Sequence, residues 1–473
     1  MRRQIERAVR LQSAGRMEEA QALYRLVLDD DPYIPAAWIN LGVLLRRLGH
    51  TGPAIASLKR GVALKPYDAS AWSNLGNALR AGGQYEAAVR AHGRALELSS
   101  NSAQLHYNMA LAQRDLGELD EAMDAFRRAE ILGYRKPELT WDRSLTQLLM
   151  GDYENGFKNY EARWSLPGAK RRDAGLPDWD GVPLEKGQRL LVWAEQGFGD
   201  TLHFARYVPM LRAQGLARVI FEVQGPLARL LQRAPAFRGI NVVARGVPRP
   251  DAAAQVPLLS LPRLLRTRAQ TIPADGPYIT PPSDIPAPYL RSGVLNVGLC
   301  WAGKPSHRND RNRSVGAAGF VSLIDLPGAS FHSLQKGPGA RQIAEEGLSA
   351  LVNDMGSTLS DFAETAAAIA PLDLIITVDT AIAHLAGAMG KTVWVLLPYA
   401  PDWRWMMARE DSPWYPTMTI FRQDTPGDWD PVLADVRAAL AGEITEKLRG
   451  SRSVGKRKQQ LSHEEEPDQE GAD

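Results

Sequence analysis

The chain of 473 residues contains a single cysteine, Cys300. One thiol excludes an internal disulfide and any zinc site built on several cysteines, and it is consistent with a reducing compartment. Neither sign of charge is in surplus, with 56 Lys and Arg against 54 Asp and Glu. That balance removes the electrostatic case for a nucleic-acid binder. No apolar run is long enough to cross a bilayer, so no membrane span is expected. Met1-Arg2-Arg3-Gln4-Ile5-Glu6 opens an amphipathic pattern rather than the apolar core of a signal peptide. These absences together lead to the expectation of a soluble, cytoplasmic protein.

What is present is the composition of a folded protein, 44% hydrophobic and 23% charged. The length exceeds what one core accommodates, so two or three domains are expected. The first 165 residues carry a period that subtraction reveals. Gly15, Gly49, Gly83, Gly117 and Gly151 are spaced 34 apart, as are Ala20, Ala54, Ala88 and Ala122. Trp38 and Trp72, Leu41 and Leu75, Gly42 and Gly76, and Pro32 and Pro66 keep the same step. The glycine falls where a first helix ends and the chain turns. The alanine lets a second helix pack closely on its neighbour, and the proline closes that helix. Four full repeats fit residues 1–136, and a divergent fifth runs from Gly151 to about Trp164. The period and its residues resemble tetratricopeptide repeats, helix–turn–helix units that stack into an α-solenoid. Such an array supplies a concave face for an extended peptide or a partner helix, and no catalytic chemistry of its own.

Residues 166–188 read as a linker, with Pro167, Gly168, Gly175, Pro177, Gly181, Pro183 and Gly187. Strands then alternate with helices. Strands are expected at Arg189–Ala194, Arg218–Val223, Ile240–Ala244, Leu295–Trp301, Ser330–Leu334, Leu374–Val378 and Val393–Leu397. Helices are expected at Thr201–Gln214, Pro226–Arg233, Thr358–Ala370 and Ala381–Met389. This alternation predicts open parallel α/β sheets. The Pro-rich stretch from Pro273 to Pro288 divides them into lobes of residues 189–288 and 289–446. Two Rossmann-like lobes with a cleft between them follow from this division. From Lys447 to Asp473, basic residues precede an acidic end with few apolar side chains, the composition of a disordered tail.

The turns after the strands carry the candidate site. Gly197-Phe198-Gly199-Asp200 lacks the third glycine of a dinucleotide fingerprint. Asp200 has two readings: an ordinary cap of the following helix, or a general base at the cleft mouth. Between Lys304 and Arg313, after the strand at Leu295–Trp301, lie five basic side chains counting His307 and including Arg308. A strand end is where such groups can hold a phosphate or diphosphate, although most charge runs are merely solvated. Gln335 and Lys336 follow the next strand. Asp379, Thr380, Ala381 and His384 follow another and open a helix whose first amides suit phosphate oxygens. Trp403, Trp405 and Trp414 read either as stacking platforms or as packing.

Gly199-Asp200-Thr201-Leu202-His203, taken with Asp379-Thr380-Ala381-Ile382-Ala383-His384 and Gly387, resembles the paired motifs of glycosyltransferase family 9, the heptosyltransferases. The order of repeats and then such a domain is similar to bacterial tetratricopeptide glycosyltransferases. These include flagellin-modifying enzymes, and the layout is similar to protein O-GlcNAc transferase. The resemblance implies a GT-B fold of two Rossmann-like lobes, without metal or cofactor. It implies Asp200 as catalytic base, with His203 in the same turn. It places Asp379, Thr380, Ala381 and His384 at the donor diphosphate, and Gln335 and Lys336, more loosely, at the nucleotide and its phosphates. Lys304, Arg308 and Arg313 fall in the corresponding basic loop. Ala381 stands where family 9 usually has glycine, which narrows the phosphate pocket. The expected reaction is direct, inverting displacement of a nucleotide from a sugar, with a polypeptide such as flagellin held on the repeats as acceptor. Two alternatives stand beside it: a lipopolysaccharide or lipid-linked sugar transferase, and a repeat scaffold with an inactive transferase domain.

Overall fold

The computed structural model describes the chain except residues 173–174, 214, 216–217, 249–250, 308 and 465–473, and it leaves the side chains of 213 and 450–464 undescribed. It divides into two compact units, one of Met1–Arg171 with Asp402–Met407, the other of Arg172–Pro401 with Ala408–Asp473.

In the first unit the described residues form helices α1 (Arg2–Ser13), α2 (Met17–Asp30), α3 (Pro35–Arg47), α4 (Thr51–Leu64), α5 (Ala69–Ala81), α6 (Tyr85–Leu98), α7 (Ala103–Leu116), α8 (Leu119–Ile131), α9 (Pro137–Leu149) and α10 (Tyr153–Tyr160). They pair in sequence order, odd with even, as the period predicts. The five periodic glycines all have positive φ, between 73° and 96°. An L side chain there would be strained, so the turn out of each odd helix selects glycine. The periodic alanines are fully buried. The other repeated pair explains itself too. The Trp38 indole N–H donates to Pro32 O at 2.7 Å and that of Trp72 to Pro66 O at 2.8 Å. Each tryptophan thus ties its odd helix to the turn that precedes it. Gly42 faces Leu58 and Gly76 faces His92, so closely that an added Cβ would lie 2.5 Å and 2.6 Å away. Trp403 also belongs to this unit, its ring edge-on to Tyr153 and Phe157 at 6.3 Å and 5.7 Å.

The second unit holds two parallel sheets. The first contains β1 (Leu190–Trp193), β2 (Val219–Val223), β3 (Asn241–Ala244) and β4 (Ala254–Pro257), in the order β3-β2-β1-β4. The second contains β5 (Leu295–Cys300), β6 (Ala329–Ser333), β7 (Val352–Asp354), β8 (Leu374–Val378), β9 (Val393–Leu397) and β10 (Met418–Arg422), in the order β10-β9-β8-β5-β6-β7. Strands β1, β2, β5, β8 and β9 are buried along their whole length, as expected of parallel strands covered on both faces. An α/β domain of two parallel sheets therefore follows the repeats.

Three details differ from expectation. Strands β4, β7 and β10 have no counterpart among the expected ones. The segment expected as one helix from Thr201 is two, Phe198–Phe204 and Tyr207–Ala213. The chain breaks where Arg206 turns its guanidinium inward to the carbonyls of His203, Pro273 and Trp414. The last helix, Asp430–Glu464, continues into the expected disordered tail. Val432, Val436, Leu440 and Ile444 recur at helical spacing and enter the core of the second sheet. Leu448 packs beside Ile444, against Gly328, and Lys447 donates to Asp373 at 2.6 Å. These anchors carry the helix past the expected boundary, while residues 465–473 lie outside the described part.

Candidate functional site

The turn after β1 is held from several sides. Gln196 has φ 59°, a left-handed conformation that costs a non-glycine residue about 1 kcal/mol or more. Asp200 Oδ2 accepts the Gly197 N–H at 2.8 Å. Gln224, just after β2, donates to Gln196 O at 3.3 Å and Gly197 O at 3.4 Å, and accepts from the Thr201 hydroxyl at 2.9 Å. Asp200 therefore does cap the helix Phe198–Phe204, from its third position rather than as the N-cap residue. It is half-buried at the C-terminal end of the first sheet.

The C-terminal edge of the second sheet is knitted by Gln335. Its Oε1 accepts from Trp301 N at 3.1 Å, Ala302 N at 2.9 Å and the Cys300 thiol at 3.4 Å. Its Nε2 donates to Ala302 O at 3.0 Å and Lys336 O at 3.1 Å. The amide is buried and fully used, so Gln335 fastens two loops instead of reaching for a nucleotide. Burial pushes the Cys300 thiol up, which keeps it protonated as a donor. Lys336 is exposed and bridges the carbonyls of Gly356 and Leu359. Thr380 caps the helix Ala381–Ala388, accepting from Ile382 N at 3.2 Å, and its hydroxyl lies 3.7 Å from Cys300 Sγ. Asp379 and Ala381 are half-buried beside it. In the basic loop, Lys304 is exposed and Arg313 folds over Gly303 onto Asp310 at 3.3 Å. Arg308 lies outside the described residues.

The two edges meet. A Cβ on Gly199 would sit 3.6 Å from Ala381 Cα and 2.9 Å from His384 Cδ2. Glycine is what lets the helix bearing Asp200 approach the helix capped by Thr380. Behind this contact the two candidate histidines share one phenol: Tyr415 Oη is 3.2 Å from His203 Nδ1 and 3.1 Å from His384 Nδ1. A phenol has one proton, so it donates to at most one of the two imidazoles, while its oxygen can accept from the other. His203 is fully buried against Trp414, with ring centroids 4.4 Å apart, and His384 is also buried. His203 is expected beside the catalytic base and His384 at the donor diphosphate; both rings are buried between the sheets and bonded to the Tyr415 phenol. Trp403, Trp405 and Trp414 are likewise buried, which selects the packing reading.

Sequence reasoning missed the ties across the seam. Arg206 stacks on Tyr278, Trp414 and Tyr415 with its guanidinium carbon 4.8, 5.5 and 4.6 Å from the ring centres. Arg229 holds Asp361 with two bonds of 2.7 and 2.9 Å, and Glu364 with one of 2.9 Å. No local pattern marks these residues, because their partners lie far away in sequence. Among the described residues no group of three or more His, Cys, Asp or Glu is placed to hold a metal ion. No described helix is long and apolar enough to cross a membrane.

Profiles of the tetratricopeptide repeat match residues 5–69, and those of the TPR repeat match residues 76–117. The N-terminal repeats are tetratricopeptide repeats. The chain is 28% identical over 315 residues to Protein FlbA of Caulobacter vibrioides, across 60% of this chain and 52% of that protein. It thus spans about half the length of this curated relative. Among solved structures it is similar to MamA, at 25% identity over 33% of this chain and 91% of that one, with a TM-score of 0.30. A thermophilic TPR protein of Thermus thermophilus is 24% identical over 35% of this chain and 91% of its own, with a TM-score of 0.31. YrrB, described as a TPR protein with an unusual peptide-binding site, is 19% identical over 34% and 84%, with a TM-score of 0.30. Tetratricopeptide repeats are a protein-interaction architecture.

Proposed function

We propose that the chain is a glycosyltransferase of GT-B type, moving a sugar from a nucleotide-sugar donor to a hydroxyl of a polypeptide held by the repeats. The observation that supports this reading best is the close approach at Gly199, next to Asp200 in sequence, to Ala381 and His384 of the helix that Thr380 caps. In the proposed step, Asp200 takes the proton of the acceptor hydroxyl. The hydroxyl oxygen attacks the anomeric carbon and the bond to the diphosphate breaks, so the nucleotide leaves with the electron pair. The charge it carries away is met by the first amides of the helix Ala381–Ala388, the Thr380 hydroxyl and Lys336. Lys336 exchanges the carbonyls of Gly356 and Leu359 for phosphate oxygens. A single displacement inverts the anomeric configuration.

The test uses the full chain with a panel of nucleotide sugars and whole-cell protein as acceptor. Asp200→Asn keeps an oxygen for the Gly197 N–H but loses the base, so transfer falls by about a hundredfold or more while the thermal midpoint is retained. Asp200→Ala loses both. Unchanged transfer in Asp200→Asn refutes the base assignment. A chain that neither binds nor turns over any nucleotide sugar leaves the scaffold reading.

A further inference from the structure

The repeats carry an arginine at one recurring position, Arg46 in α3, Arg80 in α5 and Arg114 in α7. The three rungs are compensated unequally. Arg114 donates to Asp115 at 3.1 Å and to Asp142 at 3.0 Å. Arg80 donates to Asp115 at 2.6 Å. Arg46 pairs with no carboxylate among the described residues. The repeat itself explains why. The position of Asp115 is Ala81 one repeat earlier, and that of Asp142 is Asn108 and then Asn74. The odd-numbered helices bring these residues onto one face. Their side chains bond from repeat to repeat along it, Tyr107 to Asp142 at 2.6 Å and Asn108 to Ser73 at 2.9 Å.

The electrostatics follow the same gradient. Arg80 and Arg114 overcome the effect of burial and hold the Asp115 carboxyl below its usual range. Burial, with Arg47 and Arg80 as charged neighbours, pulls the Arg46 guanidinium below its ordinary value. A half-buried guanidinium among other cations is an open rung, and the two filled rungs show what fits one, an aspartate side chain.

We propose that the odd-helix face of the repeats receives an acidic segment of a partner polypeptide, whose carboxylate completes the Arg46 rung as Asp115 completes that of Arg80. The inference rests on reading the repeats as the polypeptide-binding arm and is independent of sugar transfer. The test therefore measures binding alone. Full-length protein is titrated by fluorescence anisotropy into a labelled peptide of consecutive aspartates, its asparagine counterpart, and a single-stranded oligonucleotide of equal charge. The aspartate peptide binds about tenfold or more tightly than the asparagine peptide, and the preference weakens with salt. Arg46→Ala abolishes the preference. So does Ala81→Asp, which fills the rung from within the chain and leaves the thermal midpoint unchanged or higher, so lost binding in that variant is not lost folding. Equal binding of the two peptides overturns the proposal. So does an unchanged preference in either variant, or tighter binding of the oligonucleotide. None of these outcomes bears on whether the α/β unit transfers a sugar.

Discussion

His92 is a histidine in a place built for an apolar side chain, and its removal makes a quantitative test of how the repeats pack. The residue is fully buried in α6, against Gly76 of α5, and neither ring nitrogen has a hydrogen-bond partner. The equivalent residue one repeat earlier is Leu58, packed on Gly42, and one repeat later it is Phe126. Burial first, and then the charge of Arg80, push the His92 imidazole down from its ordinary value of 6.5 to about 4. The unfolded chain therefore binds a proton that the folded chain refuses. Stability falls as the pH drops below 6.5, and the loss levels off near pH 4. At ~1.4 kcal/mol per pH unit, the full penalty is about 3 kcal/mol, of which roughly 2 kcal/mol is present at pH 5. His92→Leu restores the residue type of the neighbouring repeat and removes this dependence. It also removes two buried nitrogens without partners, so the variant is more stable than the parent even at neutral pH. Hydrogen exchange resolved to peptides of α5 and α6 reads the effect in the intact chain, at neutral pH and at about pH 5. The parent loses roughly 2 kcal/mol more protection than the variant over that interval. Equal losses in the two proteins would falsify the assignment of a neutral, unpaired His92.

Three further substitutions probe the seam and the candidate site. Arg206→Met keeps much of the stacking volume but strips the charged donor from the carbonyls of His203, Pro273 and Trp414. The cost is about 3 kcal/mol or more, read as a lowered thermal midpoint and increased proteolysis near residues 273–288; a midpoint equal to that of the parent would count against a structural hub. Gly199→Ala sets a methyl 2.9 Å from a His384 ring that Tyr415 holds in place, which destabilises the unit by about 1–3 kcal/mol. Gly356→Ala is worse, since its methyl would lie 2.2 Å from the Gln335 backbone oxygen, where no rotamer change relieves it. Thermal unfolding should rank parent, Gly199→Ala and Gly356→Ala in that descending order, and the reverse order of the two variants would refute the contact geometry.

The parts of the structure that are legible in the sequence are those whose cause is local or repeated. A positive φ favours glycine, and five such glycines at one spacing make the repeat visible. Val393–Leu397 is apolar throughout, and Leu374–Val378 is apolar but for Thr377, because a parallel strand is covered on both faces, and both are found at the expected residues. Val352–Asp354 is too short and Ala254–Pro257 too mixed to carry such a signal, so these strands exist only through their neighbours. The candidate site divides along the same line. Its position follows from topology, since loops at the C-terminal ends of parallel strands are where a ligand can reach the domain. The duties of its side chains do not, since each is set by a partner remote in the chain. His203 is defined by a phenol at Tyr415, and Gln335 by two backbone amides at Trp301 and Ala302. Residue type alone marks a histidine or a glutamine as chemically able. Only the contact shows what that ability is already used for.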